Sequence, residues 1–124
     1  MKGYQDKIKD LSINCCLAMC YIWSFEPDVS YPKMLKYLSI SIEKGYISES
    51  GYVQNPDKLI SLVSGKTKRV YKSKTNPGKM CIANFVNGAN NHFVVVDAND
   101  NVVYNPLETS LCVKNGKIED YRVW

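Results

Sequence analysis

One histidine, five cysteines and one asparagine carry most of the chemistry this 124-residue chain could perform. His92 stands at the head of the stretch Asn91-His92-Phe93-Val94-Val95-Val96-Asp97, and Val102-Val103-Tyr104-Asn105-Pro106 follows it. An apolar run, a polar cluster and a second apolar run read as a β-hairpin. A turn of two residues (Asn99-Asp100) or of four (Ala98 to Asn101) gives the same register. Asp97 then faces Val102, Val96 faces Val103 and Val94 faces Asn105. Side chains alternate along a strand, so His92 shares a face with Val94. His92 and Asn105 become diagonal cross-strand neighbours, within reach of a side-chain hydrogen bond. An imidazole oriented by an amide is part of a Cys-His-Asn triad, provided that the chain supplies a nucleophile.

Five cysteines, Cys15, Cys16, Cys20, Cys81 and Cys112, are available for that role. Their odd number, with no signal-peptide core near Met1, argues for free thiols and a cytoplasmic protein. Cys16 and Cys20 would share a helix face, but there is no CxxC pair and His92 already has another partner. No metal and no cofactor is therefore expected. Cys15 and Cys16 lie where a helix should begin, and backbone N–H groups and the helix dipole favour a thiolate there. Cys15 is the preferred nucleophile because it follows a capping residue directly; Cys16 is the alternative. His92 would form a thiolate–imidazolium pair with the chosen thiol, and Asn105 would fix the imidazole tautomer. Cys20, Cys81 and Cys112 read as core residues.

The elements that must position these groups follow from pattern. Residues 1–13 read as a polar lead-in with one short helical turn. Ser12 or Asn14 caps a helix starting at Cys15 that is apolar on every side and therefore buried. Ser30 caps a second helix with Pro32 in its first turn, which runs to Lys44 and stops at Gly45. Met34, Leu35, Leu38 and Ile42 form its buried stripe. Asn55 caps a third helix, Pro56 to Val63. Lys68 to Lys72 and Met80 to Val86 read as strands. The His92 hairpin comes next, then a last hairpin turning at Asn115-Gly116 with Lys117 to Trp124 as the closing strand. Helices first and an antiparallel meander after them make a single α+β domain spanning 1–124.

Composition narrows the function. Apolar residues make up 45% of the chain and charged residues 23%, an ordinary globular balance. No apolar run approaches the ~20 residues that span a bilayer, so no membrane partner is expected. A net charge of +4 gives no general case for nucleic acid. Locally, Lys66, Lys68, Lys72 and Lys74 would line one side of a strand. An edge strand protected by lysines is the plainer reading, and a landing patch for a polyanion the other.

The helix-starting Cys15 in Asn14-Cys15-Cys16-Leu17-Ala18-Met19 resembles the nucleophile helix of papain-like cysteine peptidases. His92-Phe93-Val94-Val95-Val96 with Tyr104-Asn105-Pro106 resembles the His strand and Asn/Asp-Pro element of their compact bacterial branch. That branch includes the double-glycine leader peptidases of bacteriocin exporters. The chain is also similar to small papain-like proteins of spirochaetes and phages. The resemblance implies a papain-like fold, helices packed on a C-terminal antiparallel sheet. It also implies a thiol hydrolase that cleaves a peptide or related amide bond through Cys15, His92 and Asn105. The chain departs from the family pattern in lacking Cys-Gly and a glutamine a few residues before the nucleophile. Gln5, further upstream, Ser12 and Asn14 are the candidates to join the Cys15 backbone N–H in an oxyanion hole. Without one, the alternative is a catalytically inactive papain-like module that binds a peptide or protein partner.

Overall fold

A computed structural model describes residues 3–7, 14–108 and 110–124. A 3₁₀ turn spans Gln5–Lys7, and Ser12 lies outside the described residues. Helix α1 is Cys16–Phe25, α2 is Tyr31–Glu43 and α3 is Pro56–Ser64. Ser30 Oγ accepts from Lys33 N–H at 3.3 Å and Asn55 Oδ1 from Lys58 N–H at 3.1 Å, so both expected caps form. α1 begins one residue later than expected. Cys15 is the flanking residue and Cys16 the first helical one. Ala18 through Trp23 are all buried, as an all-apolar helix requires. α1 packs against α2, α3 and the sheet. On α2, Met34 and Leu38 are fully buried, whereas Leu35 and Ile42 are partly covered. Ser41 is also fully buried on α2, its hydroxyl donating to Tyr37 C=O at 2.7 Å.

The sheet has five antiparallel strands: β1 Tyr71–Ser73, β2 Cys81–Asn87, β3 Asn90–Val96, β4 Val102–Tyr104 and β5 Lys117–Val123. Their spatial order is β1-β5-β2-β3-β4. A simple meander is thus corrected: the closing strand inserts between β1 and β2. Tyr121 and Val123 are buried there. Ile82, Phe93 and Val95 join the core under α1, and Ala83, Val94 and Val96 join a second cluster on the opposite face. β3 is buried on both faces from His92 to Val96, hence its continuous apolar run.

The last hairpin is corrected as well. Leu111–Asn115 forms a short helix, α4, with Ser110 Oγ accepting from Cys112 N–H. Val113 of α4 covers the second cluster. Asn-Gly is a strong hairpin signal, but Gly116 has φ −98°, not the positive φ of a type I′ turn. Gly116 is needed for close approach instead, since a Cβ there would overlap the carbonyls of Cys112 and Val86. The lysine run is corrected in part. Only Tyr71–Ser73 is strand, at the sheet edge, so Lys66, Lys68, Lys72 and Lys74 do not share one strand face.

The β3–β4 pairing keeps the expected register where it matters. Val95 faces Tyr104, which continues to Val94 opposite Asn105. Nearer the turn, Val96 faces Val102 rather than Val103, and the register shifts between Val95 and Val96. Asp97 causes this. Its Oδ1 accepts from Asn99 N–H and Asn101 N–H at 2.9 and 3.0 Å, and its own N–H donates to Asn101 C=O. Three residues lie inside that closure, with Asp100 at φ 63°, so the second strand has one residue too many and bulges.

Gly116→Ala should destabilise the protein by about 1–3 kcal/mol, because two backbone segments must move apart to admit a methyl group. Chemical denaturation checks this: a lower midpoint with unchanged slope is expected, and an unchanged midpoint would contradict the close approach.

Candidate active site

β3 and the residues just after β4 bring His92 and Asn105 together. His92 Nε2 lies 2.7 Å from Asn105 Oδ1. The same Oδ1 accepts from Leu107 N–H at 3.1 Å. A backbone N–H is always a donor, so the atom facing it is the amide oxygen. His92 Nε2 must then carry the proton in this hydrogen bond. In the neutral imidazole that leaves Nδ1 as the acceptor nitrogen. Asn105 is itself held in place: the ring of Tyr104, one residue before it, stacks on Trp23 of α1 at 5.1 Å with 7° between planes.

The segment before α1 docks against the same strand end. Gln5 N–H donates to Pro106 C=O at 3.0 Å, and Tyr104 Oη donates to Gly3 C=O at 2.8 Å. Gly3 lies so close to Asn105 and Pro106 that a Cβ would overlap their carbonyls. This docking takes Gln5 to a cleft of about 460 Å³, which it lines together with Asn14, Cys16 and His92. Gln5, distant from the cysteines in sequence, is therefore near one of them in space. Tyr52 and Leu111, which sequence patterns did not single out, form the cleft's rims and expose 57% and 61% of their surface. Their one sequence signal was an apolar side chain beside turn-forming residues, which is common on any surface.

The two neighbouring cysteines part company. Cys15 has no exposed surface, and its thiol lies 3.5 Å from Met19 Sδ in the core. Burial, then the adjacent Cys16, pushes its thiol up to about 12. Cys16 is partly exposed and lines the cleft. Burial raises its thiol too, but the Phe93 backbone, adjoining His92, favours the thiolate, as do the Leu17 and Cys16 backbones. Cys15, the nucleophile preferred from the sequence, is turned inward, and Cys16, the alternative, lines the cleft. Of the other cysteines, Cys20 donates to Phe93 C=O at 3.3 Å, Cys81 is buried in the second cluster, and Cys112 lines the cleft wall. Among the described residues no group of three or more His, Cys, Asp and Glu could hold a metal ion, and no helix is long and apolar enough to cross a membrane.

Burial lowers the pKa of His92, and the bond to Asn105 partly opposes that shift. The resting pair is therefore biased toward neutral thiol and neutral imidazole. The folded protein prefers uncharged His92, so this contribution to stability is complete above the ordinary histidine pKa of 6.5 and is lost as pH falls through the lower folded value. Denaturation midpoints for wild type and His92→Gln should converge as pH falls from 7.5 to 5, and parallel curves would contradict this. In native protein, iodoacetamide should modify Cys16 before Cys15, Cys20 or Cys81; peptide mass spectrometry reads the order, and Cys15 labelled first would reverse the assignment.

Residues 8–124 match the family described as "Protein of unknown function, DUF261", and the chain belongs to that family. No curated protein and no solved structure matches it.

Proposed function

We propose that this member of the DUF261 family is a papain-like cysteine hydrolase that cleaves a peptide or related amide bond. Cys16 is its nucleophile, His92 its acid–base group and Asn105 the residue that orients His92. The observation that carries this reading is the 2.7 Å bond from His92 Nε2 to Asn105 Oδ1, at a cleft also lined by Cys16 and Gln5. That bond presents Nδ1 as the proton acceptor, the state a general base needs.

The steps follow from the groups present. Cys16 Sγ attacks the substrate carbonyl carbon while its proton passes to His92 Nδ1. The resulting oxyanion is met by the Cys16 backbone N–H and the Gln5 side-chain amide, in the cleft that Asn14 also lines. The C–N bond then breaks, and the leaving amine takes the proton from His92. Water attacks the thioester with His92 as base, releasing the acid and restoring the thiol. The first turn of α1 supports the charge on sulfur, because its N–H groups have no partners within the helix. No metal or organic cofactor takes part in this scheme.

A second reading, an inactive module that holds a peptide in the same cleft, draws on one observation: burial pushes both Cys16 and His92 toward their neutral forms. One experiment separates the two. The rate of Cys16 alkylation by iodoacetamide is measured across pH in wild type, His92→Ala and Asn105→Ala. A working base should accelerate Cys16 by roughly 100-fold over His92→Ala, with a smaller loss in Asn105→Ala. Equal rates in wild type and His92→Ala would reject the hydrolase and leave the binding module.

A further inference from the structure

A second cleft, of about 330 Å³, borders the first, and both are lined by Leu17 and Val53. At this second cleft stand Lys72 of β1 and Arg122 of β5, with Tyr21 and Tyr71. Lys72 and Arg122 are direct cross-strand partners. Like charges opposite one another in a sheet are destabilising, so the pairing calls for a cause other than stability. Nearby acids offset it only on the Arg122 side. Asp120 binds one Arg122 nitrogen at 2.8 Å, and Asp57 Oδ1 accepts from Val70 N–H at 3.0 Å. Among the described residues Lys72 has no ion pair, and the Arg122 guanidinium, with its five N–H donors, has Asp120 as its one carboxylate. Arg122 is also rigid: it lies over the Phe93 ring, 5.1 Å from the centroid, and its side chain is only 14% exposed. A preorganised guanidinium beside an unpaired ammonium suits a carboxylate.

We infer that Lys72 and Arg122 form a subsite for a carboxylate of the substrate, which makes this protein selective for acidic peptides. The inference rests on the hydrolase reading for what happens at Cys16, but not for the binding itself. Spacing fits an extended chain. Cys16 lines the first cleft and Tyr21 the second, about 7.5 Å apart along α1 at 1.5 Å per residue. An extended peptide covers that in two or three residues at about 3.3 Å each. An acidic group a few residues from the bond held at Cys16 is thus placed to enter the second cleft. It is either an Asp or Glu side chain or the terminal carboxylate of a short substrate.

The test uses full-length Cys16→Ala protein, which binds without turnover, immobilised and exposed to two random decapeptide libraries. One library has free C-termini and the other amidated C-termini, and bound peptides are sequenced. Asp and Glu enriched about ten-fold at one position in both libraries identifies a side-chain carboxylate. Preference for the free-terminus library alone identifies a terminal one. Lys72→Glu, at an exposed edge position, should abolish the enrichment, and Arg122→Gln should do the same if it folds. No acidic enrichment, no retained peptide, or enrichment that survives Lys72→Glu overturns the subsite. The alkylation rates judge the catalytic reading separately: acidic selection without His92-dependent alkylation keeps the subsite and rejects the hydrolase.

Discussion

Tyr104 holds three separate parts of the molecule at once. Its ring stacks on Trp23 and so ties the end of β4 to α1. Its hydroxyl donates to Gly3 C=O and so ties the same point to the segment before α1. Its backbone is fixed by pairing with Val95. The ring is 3% exposed, and burial raises its hydroxyl pKa, so the group remains a neutral donor. Of the residues placed by these three contacts, Gln5 and Cys16 of α1 line one cleft, and Asn105 holds His92, which lines it too. None is near another in sequence, apart from Asn105 beside Tyr104 itself. A buried aromatic with one polar handle is suited to this role, because its face binds without direction and its hydroxyl with direction.

The same burial sets a tension at the cleft. Water is kept from His92, which has 3% of its surface exposed, and this favours the neutral ring. Water is also largely kept from Cys16, which favours the thiol. A charged pair would need compensation from the Phe93 backbone, the start of α1 and the imidazolium held by Asn105.

β5 supplies Arg122 to the second cleft. Its insertion between β1 and β2 puts Arg122 beside Lys72 on one side and opposite Ile82 on the other. Had the closing strand extended the meander at the edge, Arg122 would have faced solvent rather than the Phe93 ring. The strand order therefore decides the surface charge of the second cleft as well as the core.

Much of this was legible in the sequence wherever the deciding physics is local. Ser30 and Asn55 cap their helices because a cap needs only the next three residues. The pairing of Val95 with Tyr104, and with it the meeting of His92 and Asn105, follows from strand alternation and a short turn. Other features depended on contacts between distant segments. Whether Cys15 or Cys16 faces the cleft turns on a one-residue difference in where α1 begins, about 100° of rotation on a helix. Whether residues 111–115 coil or extend turns on Val113 finding the second cluster and Gly116 fitting against Val86. Gln5 reached the cleft through docking at the end of β4, where its N–H meets the carbonyl of Pro106. Sequence by itself determined the α+β composition, the Ser30 and Asn55 caps and the His–Asn pair, because those are set within a few residues. Tertiary structure alone decided which of Cys15 and Cys16 faces the cleft, the strand order and the second cleft, because burial and docking are properties of the whole assembled chain.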